Sequence, residues 1–408
     1  MRMHLADVPV RRIVRAIADA AARWSDADFP PRVRALGRIA ERTGYSLPVL
    51  EYALDRLFSS ITQESLAAVL EDELGSLDCL DGFVARRGRP RAWARPIGSI
   101  CIVSSRTTVG VALVPAVFAL CAKCDILVKD REDALVGAFF ATLAQELDEM
   151  TRAARCAVWE GESPPVPLRD FAGVVAFGSD ATLRAIAAQL NATARFAGYG
   201  AKASVGYVGR DALDRDAAIA AVCAGAARDL VLYDSEGCLS LHALFVQRGG
   251  RRSVAEFAAA LARAVERAAI EFPASADRAE SALRVAATRD LAAFRAAGGA
   301  GAVYADARAT HCVVLDPPAA EPPAFLPRTI AVRAVDDAGE AAAYLARHDL
   351  AIEAVAVAGA SDGVVAEMLP LGVSRIVRFG SLQAPPLGAF HGGRPRVAEF
   401  VAWIGDES

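Results

Sequence analysis

The chain has 408 residues, with 45 Lys and Arg against 49 Asp and Glu, for a formal net charge of −4. That balance leaves no cationic excess to neutralise a phosphate backbone, so a nucleic-acid-binding function is excluded as a first reading. Hydrophobic residues make up 54% and charged residues 23%, which excludes a disordered chain and, at this length, suits two or three domains.

The mean hydropathy of +0.29 is raised by alanine-rich runs such as Ala258-Ala259-Ala260. No run of about 18 uninterrupted apolar residues occurs, so no membrane span is expected. The start, Met1-Arg2-Met3-His4, soon turns polar and does not read as a secretory signal. A cytoplasmic location is therefore expected, with the cysteines at 79, 101, 121, 124, 156, 223, 238 and 312 reduced. Cys121-x-x-Cys124 has no second pair, and the chain has only five histidines, so no metal site is expected.

In chain order, residues 1–95 read as helical. Leu50, Leu54, Leu57 and Phe58 fall on one face at helical spacing, and Gln63 to Leu74 forms a further helix stopped by Gly75. A basic loop follows through Arg89-Pro90-Arg91. Short apolar strands are then expected at 99–103, 125–129 and 171–177, with helices at 110–123, 134–150 and 181–190. A strand at 203–208 leads into a second region, in which 230–233 and 244–246 read as strands bracketing Asp234-Ser235-Glu236-Gly237-Cys238. A helix over 254–271, a strand over 329–335, a helix over 338–348 and a strand over 351–358 follow. The tail reads as a return to the first region and a terminal helix. Apolar strands alternating with helices predict an α/β fold with parallel sheet covered on both faces.

Three features carry chemistry. Gly178 and Ser179 lie where a strand passes into a helix, and helix N-terminal amides form a phosphate site; any N-capped helix has the same look. Lys129 ends its strand, within reach of a ribose or phosphate, although a surface lysine reads alike. Cys238 sits on a turn that presents both a thiol and a backbone N–H, the pairing a covalent acyl-transfer site needs; a buried structural cysteine is the plain alternative. His242, four residues on, is a candidate general acid or base. Glu236 on the same turn reads as solvated. No G-x-G-x-x-G follows a strand and no G-x-S-x-G elbow occurs.

In order and spacing the chain resembles the aldehyde dehydrogenase superfamily, and within it the acyl-CoA reductases of the bacterial bioluminescence fatty-acid reductase type. The resemblance covers nearly the whole chain. It rests on Pro96-x-Gly98, Asp125 to Lys129, Phe177-Gly178-Ser179-Asp180, Gly198-Tyr199-Gly200-Ala201-Lys202, Asp234 to Ser240, Leu326-Pro327-Arg328-Thr329, Gly372 to Ile376 and His391-Gly392-Gly393-Arg394-Pro395.

The resemblance implies a helical N-terminal segment (1–95), a modified Rossmann nucleotide-binding domain (96–209, with 375–408 returning to it) and a second α/β catalytic domain (210–374). It implies that Lys129 contacts the adenosine ribose or its 2′-phosphate, that Gly178 and Ser179 meet the pyrophosphate, and that Cys238 carries an acyl group. The implied reaction is reduction of a long-chain acyl-CoA or acyl-carrier thioester to an aldehyde. NADPH is the expected cofactor, with NADH as the alternative. A homo-oligomer and an acyl-activating or acyl-transferring partner are expected as well.

The chain departs from the pattern twice. Gly198 stands where aldehyde-oxidising relatives place the glutamate that activates water, which fits reduction better than oxidation. Thr107, in Ser104-Ser105-Arg106-Thr107-Thr108, stands near the place of an oxyanion-stabilising asparagine. Two alternatives stay open: a cysteine acyltransferase or thioesterase without nicotinamide, and a non-catalytic acyl-thioester-binding partner.

Overall fold

Local chemistry sets many of the element ends. Thr62 caps a helix reciprocally with Ser65, and that helix stops at Gly75 in the left-handed region (φ 83°). Ser253 and Glu256 form a second capping box, and Asp337 caps a third helix through the Glu340 amide. In the computed structural model the described residues are 3–105, 109–130, 135–159, 164–275, 279–306, 308, 310–323, 325–359 and 362–408.

Along the chain these form α1 (Val10–Ser25), α2 (Pro30–Thr43), α3 (Leu47–Ser60), α4 (Gln63–Leu74), β1 (Val84–Arg86), β2 (Arg89–Pro96), β3 (Ile100–Val103), α5 (Leu113–Cys121), β4 (Ile126–Lys129), α6 (Leu135–Glu146), α7 (Met150–Ala153), β5 (Ala154–Ala157), β6 (Gly173–Phe177), α8 (Asp180–Ala187) and β7 (Arg195–Tyr199). There follow β8 (Ala203–Val208), α9 (Asp216–Val231), β9 (Leu241–Gln247), α10 (Val254–Glu271), α11 (Ala279–Ala297), β10 (Ala302–Ala305), β11 (Cys312–Leu315), β12 (Thr329–Val335), α12 (Ala338–Arg347), β13 (Ile352–Ala358), α13 (Asp362–Met368), β14 (Arg375–Val377) and β15 (Val401–Asp406).

The chain divides into two units: residues 1–43, 50–201 and 386–408 in the first, residues 44–49 and 202–385 in the second. The first holds a five-stranded sheet in the order β5-β4-β3-β6-β7, parallel throughout. Strands β3, β4 and β6 are buried along their whole length, as a sheet covered on both faces requires. Trp24 of α1 is fully buried against Phe58 and Phe139, and its indole N–H donates to Thr142 Oγ1 at 3.0 Å. The second unit holds a seven-stranded sheet, β10-β11-β12-β9-β8-β13-β14, parallel except for β10. None of the described helices is long and apolar enough to cross a membrane.

Three local expectations change. Residues 84–96, read as helix and loop, form the β1–β2 hairpin. The expected terminal helix is strand β15, which pairs antiparallel with β2; Val401, Trp403 and Ile404 favour an extended backbone. Residues 230–233 are not a strand: Leu230 and Val231 end α9, and Leu232 and Tyr233 begin a 3-10 turn. A short apolar run does not distinguish a buried helix end from a strand.

Candidate active site

In the first unit, β3 lies between β4 and β6, so the chain winds outward from β3 in both directions. Such a reversal opens a crevice at the carboxyl ends of the two central strands. Gly178 and Ser179 stand there, between β6 and α8. The Gly178 N–H donates to the Tyr199 carbonyl at 3.2 Å, and a Cβ on Gly178 would lie 3.3 Å from Thr182 Cγ2, crowding the first turn of α8. Ser179 caps that helix, its Oγ accepting from the Thr182 amide at 3.2 Å. The positive end of α8 therefore faces the crevice.

Lys129 ends β4 at 6% exposure, with its Nζ 4.9 Å from the centre of the Trp159 ring. Phe177, Tyr199 and His391 stack at the ends of β6 and β7, with 4.9 Å and 16° between the first two rings and 4.2 Å and 19° between the last two. His391, from the carboxyl-terminal tail, is thus anchored beside the strand ends; only the tail motif hinted at this in the sequence. Gly198 lies in β7, where an added Cβ would meet the Phe196 ring at 2.9 Å. The position is packed for glycine. Thr107 lies outside the described residues.

In the second unit the chemistry gathers at the opposite, amino-terminal edge of a parallel sheet, where β9, β8, β13 and β14 begin side by side. Ser204 pairs with Leu241 and with Ala354, and Ala354 pairs with Arg375. Cys238 stands three residues before β9 and is half-buried, while six of the other seven cysteines are buried and Cys156 is exposed. Burial is the main cause that raises the Cys238 thiol to about 11; the Glu353 carboxylate adds to it, and the Cys238 backbone N–H, Lys202 and Arg375 oppose it. Glu353 is buried and pairs with Lys202 at 3.0 Å. Arg375 is 8% exposed and donates to the carbonyls of Leu382 and Ser381.

The turn that carries Cys238 is held from several sides. Its carbonyl accepts from Ser204 Oγ at 2.8 Å. The Gly237 carbonyl accepts from the Ser240 amide at 2.9 Å and from His242 Nε2 at 3.2 Å. His242 is buried against Phe325, which lowers its pKa to about 4. Upstream, Tyr233, Asp234 and Ser235 all take left-handed φ values of 52°, 50° and 62°. Each non-glycine residue there costs about 1–2 kcal/mol. A buried ion pair from Arg328 Nε to Asp234 Oδ1 holds the segment, and Ser275 Oγ donates to Asp234 Oδ2. The Arg328 amide donates to Ser235 Oγ at 3.1 Å.

Arg328, Lys202, Glu353 and Asp229 were not singled out as site residues. Arg328 and Lys202 stand within motifs quoted above, yet nothing local to them shows which charge they meet. The Cys121–Cys124 pair is buried, with Cys124 Sγ 3.4 Å from the Phe400 carbonyl. Among the described residues no group of three His, Cys, Asp or Glu is placed to hold a metal ion.

The architecture is shared with aldehyde dehydrogenases. Similar structures include the glyceraldehyde-3-phosphate dehydrogenase of Methanocaldococcus jannaschii complexed with NADP (10% identity, 98% of this chain and 90% of that chain, TM-score 0.68). Others are a NAD-dependent benzaldehyde dehydrogenase from Corynebacterium glutamicum (15% identity, 99% and 87%, TM-score 0.68) and lactaldehyde dehydrogenase from Escherichia coli (15% identity, 98% and 87%, TM-score 0.66). At these identities the likeness shows the fold alone: an α/β fold of the aldehyde dehydrogenase type. Among curated proteins none matches the chain. The acyl-CoA reductase (LuxC) family matches residues 5–403, and the chain belongs to it. It is accordingly an oxidoreductase acting on acyl or aldehyde groups.

Proposed function

We propose that this protein reduces a fatty acyl thioester, acyl-CoA or acyl carrier, to the aldehyde through an acyl group held on Cys238. The observation that carries this reading is the setting of Cys238: a half-buried thiol on a turn held by Ser204 and His242, with the half-buried Lys202 and the buried Arg375 as cations that favour its thiolate. The cations stabilise the thiolate, and the Cys238 backbone N–H stabilises the oxyanion formed when the thiolate attacks a carbonyl. The thiolate sulfur attacks the thioester carbon, the carrier leaves as its own thiolate, and the acyl group becomes a thioester of Cys238. Addition of a hydride at that carbon gives a second oxyanion, which collapses by breaking the carbon–sulfur bond. Aldehyde leaves and the Cys238 thiolate returns.

NADPH, or NADH, supplies that hydride when bound. The residues of the first unit fit a dinucleotide: a close-packed Gly178 at a helix N-terminus suits a pyrophosphate, and the buried ammonium of Lys129 suits a ribose or 2′-phosphate. The NADP complex of the Methanocaldococcus enzyme, of the same fold, supports the assignment. We assign nucleotide binding to the first unit and acyl chemistry to the second. Gly198, with no carboxylate and no room for a Cβ, favours reduction over hydrolysis of the acyl-enzyme.

The test is product stoichiometry with a long-chain acyl-CoA. One NADPH, or NADH, is consumed per aldehyde formed, and Cys238→Ala forms none. Release of free acid without nicotinamide oxidation would instead establish a thioesterase.

A further inference from the structure

We infer that His242 is a positioning residue that aims the oxyanion-stabilising amide of Cys238, and that it does so through the carbonyl of Gly237. The inference deepens the Cys238 reading and rests on it. The Gly237–Cys238 peptide is trans, as no peptide bond described is cis. In a trans peptide the C=O and the following N–H share one plane and point in opposite directions. Whatever fixes the Gly237 oxygen therefore fixes the Cys238 N–H.

Two donors fix that oxygen: the Ser240 amide at 2.9 Å and His242 Nε2 at 3.2 Å. Ser204 Oγ fixes the next carbonyl, that of Cys238, at 2.8 Å. Both peptide planes that meet at the nucleophile are thus held from the sheet side. The Cys238 N–H, fixed in this way at the nucleophile, is the backbone donor available to a tetrahedral oxyanion. Gln383 Nε2 donates to Ser240 Oγ at 2.7 Å and steadies the far end of the turn.

A carbonyl only accepts, so Nε2 carries the hydrogen. Burial, which lowers the imidazole to about 4, keeps the ring neutral through the physiological range. A proton committed to Gly237 suits orientation rather than proton transfer.

The experiment compares His242→Ala and His242→Gln in the full chain, measuring acyl-CoA reduction, its pH profile and the alkylation of Cys238 by iodoacetamide. Alkylation passes through no oxyanion and reports the thiol alone. The prediction is that His242→Ala lowers kcat about 10–100-fold while KM and the alkylation rate stay within about threefold of wild type. His242→Gln, whose side-chain N–H replaces the donor, restores most of the rate, and the pH profile keeps its shape in both variants. A general acid–base role would overturn the proposal, and would show as no rescue by Gln with one limb of the profile lost. Equal losses of alkylation and turnover, marking a collapsed turn, would overturn it too, as would full activity in His242→Ala. Failure of the Cys238 reading itself is a separate result, seen as reductase activity that survives in Cys238→Ala.

Discussion

Cys238 is protonated at rest, and the groups around it set how hard it is to ionise. With the thiol raised to about 11, its alkylation should accelerate close to tenfold per pH unit from pH 7 to 10. Glu353 works against the thiolate, whereas Lys202 and Arg375 support it. Glu353→Gln should therefore speed alkylation at pH 8, and Arg375→Gln should slow it; stopped-time iodoacetamide labelling reads both. Equal rates in the two variants would show that these buried charges do not act on the thiol.

His242 makes a second prediction at this scale. Its folded pKa of about 4 lies below the unfolded value of 6.5, so between those values the unfolded chain binds more protons. Its contribution to stability is present above the unfolded pKa and is lost as pH falls from 6.5 toward 4. Asp229 runs the other way: burial raises it to about 7, so the folded chain binds the extra proton there. The clean readout is a difference. In urea unfolding, His242→Gln should gain roughly 2 kcal/mol relative to wild type between pH 7 and pH 5.

At the scale of elements, the segment between α9 and β9 shows how strain is held. Three successive left-handed residues precede Cys238, and the buried Asp234–Arg328 ion pair spans 94 positions of sequence to fix them. Arg328→Met leaves Asp234 buried without its cation and should cost about 3–5 kcal/mol, measured by denaturant midpoint. The double variant Asp234→Asn with Arg328→Met should recover part of that loss. On the other side of α9, a Cβ at Gly225 would lie 2.6 Å from the Phe379 carbonyl carbon and oxygen. There Asp229 Oδ2 accepts from the Gly380 amide and Oδ1 from the Leu382 amide, clasping the loop that leads to Gln383. Gly225→Ala should push that loop away and cost about 1–3 kcal/mol.

Elements whose ends are marked locally were legible in the sequence. The strand 203–208, the helix 254–271 and the strand 329–335 have the bounds read for them in the sequence. Elements defined by a distant partner were not. β15 exists through its pairing with β2, some 300 residues away, and the Leu230–Tyr233 run takes its shape from the turn that Arg328 holds. The same distinction divides the site. Cys238, Gly178 and Lys129 are marked by their own motifs, whereas Glu353, Asp229 and Arg328 acquire meaning only when the sheet sets strand beginnings side by side.

At the scale of the whole molecule, the proposed roles fall on separate units, which makes them separable by mutation. Lys129→Met should weaken NADPH binding, read by fluorescence titration, and leave acylation of Cys238 near wild type. Cys238→Ala should do the reverse. The family, the fold and the Gly198 position all point toward aldehyde formation, and the covalent step at Cys238 joins them into one account.

The most direct test of that step is a single-turnover experiment with radiolabelled long-chain acyl-CoA. The account predicts label on wild-type protein, none on Cys238→Ala, and its release as aldehyde when NADPH is added. Label that stays on the protein after NADPH addition, or that attaches equally to Cys238→Ala, would contradict it.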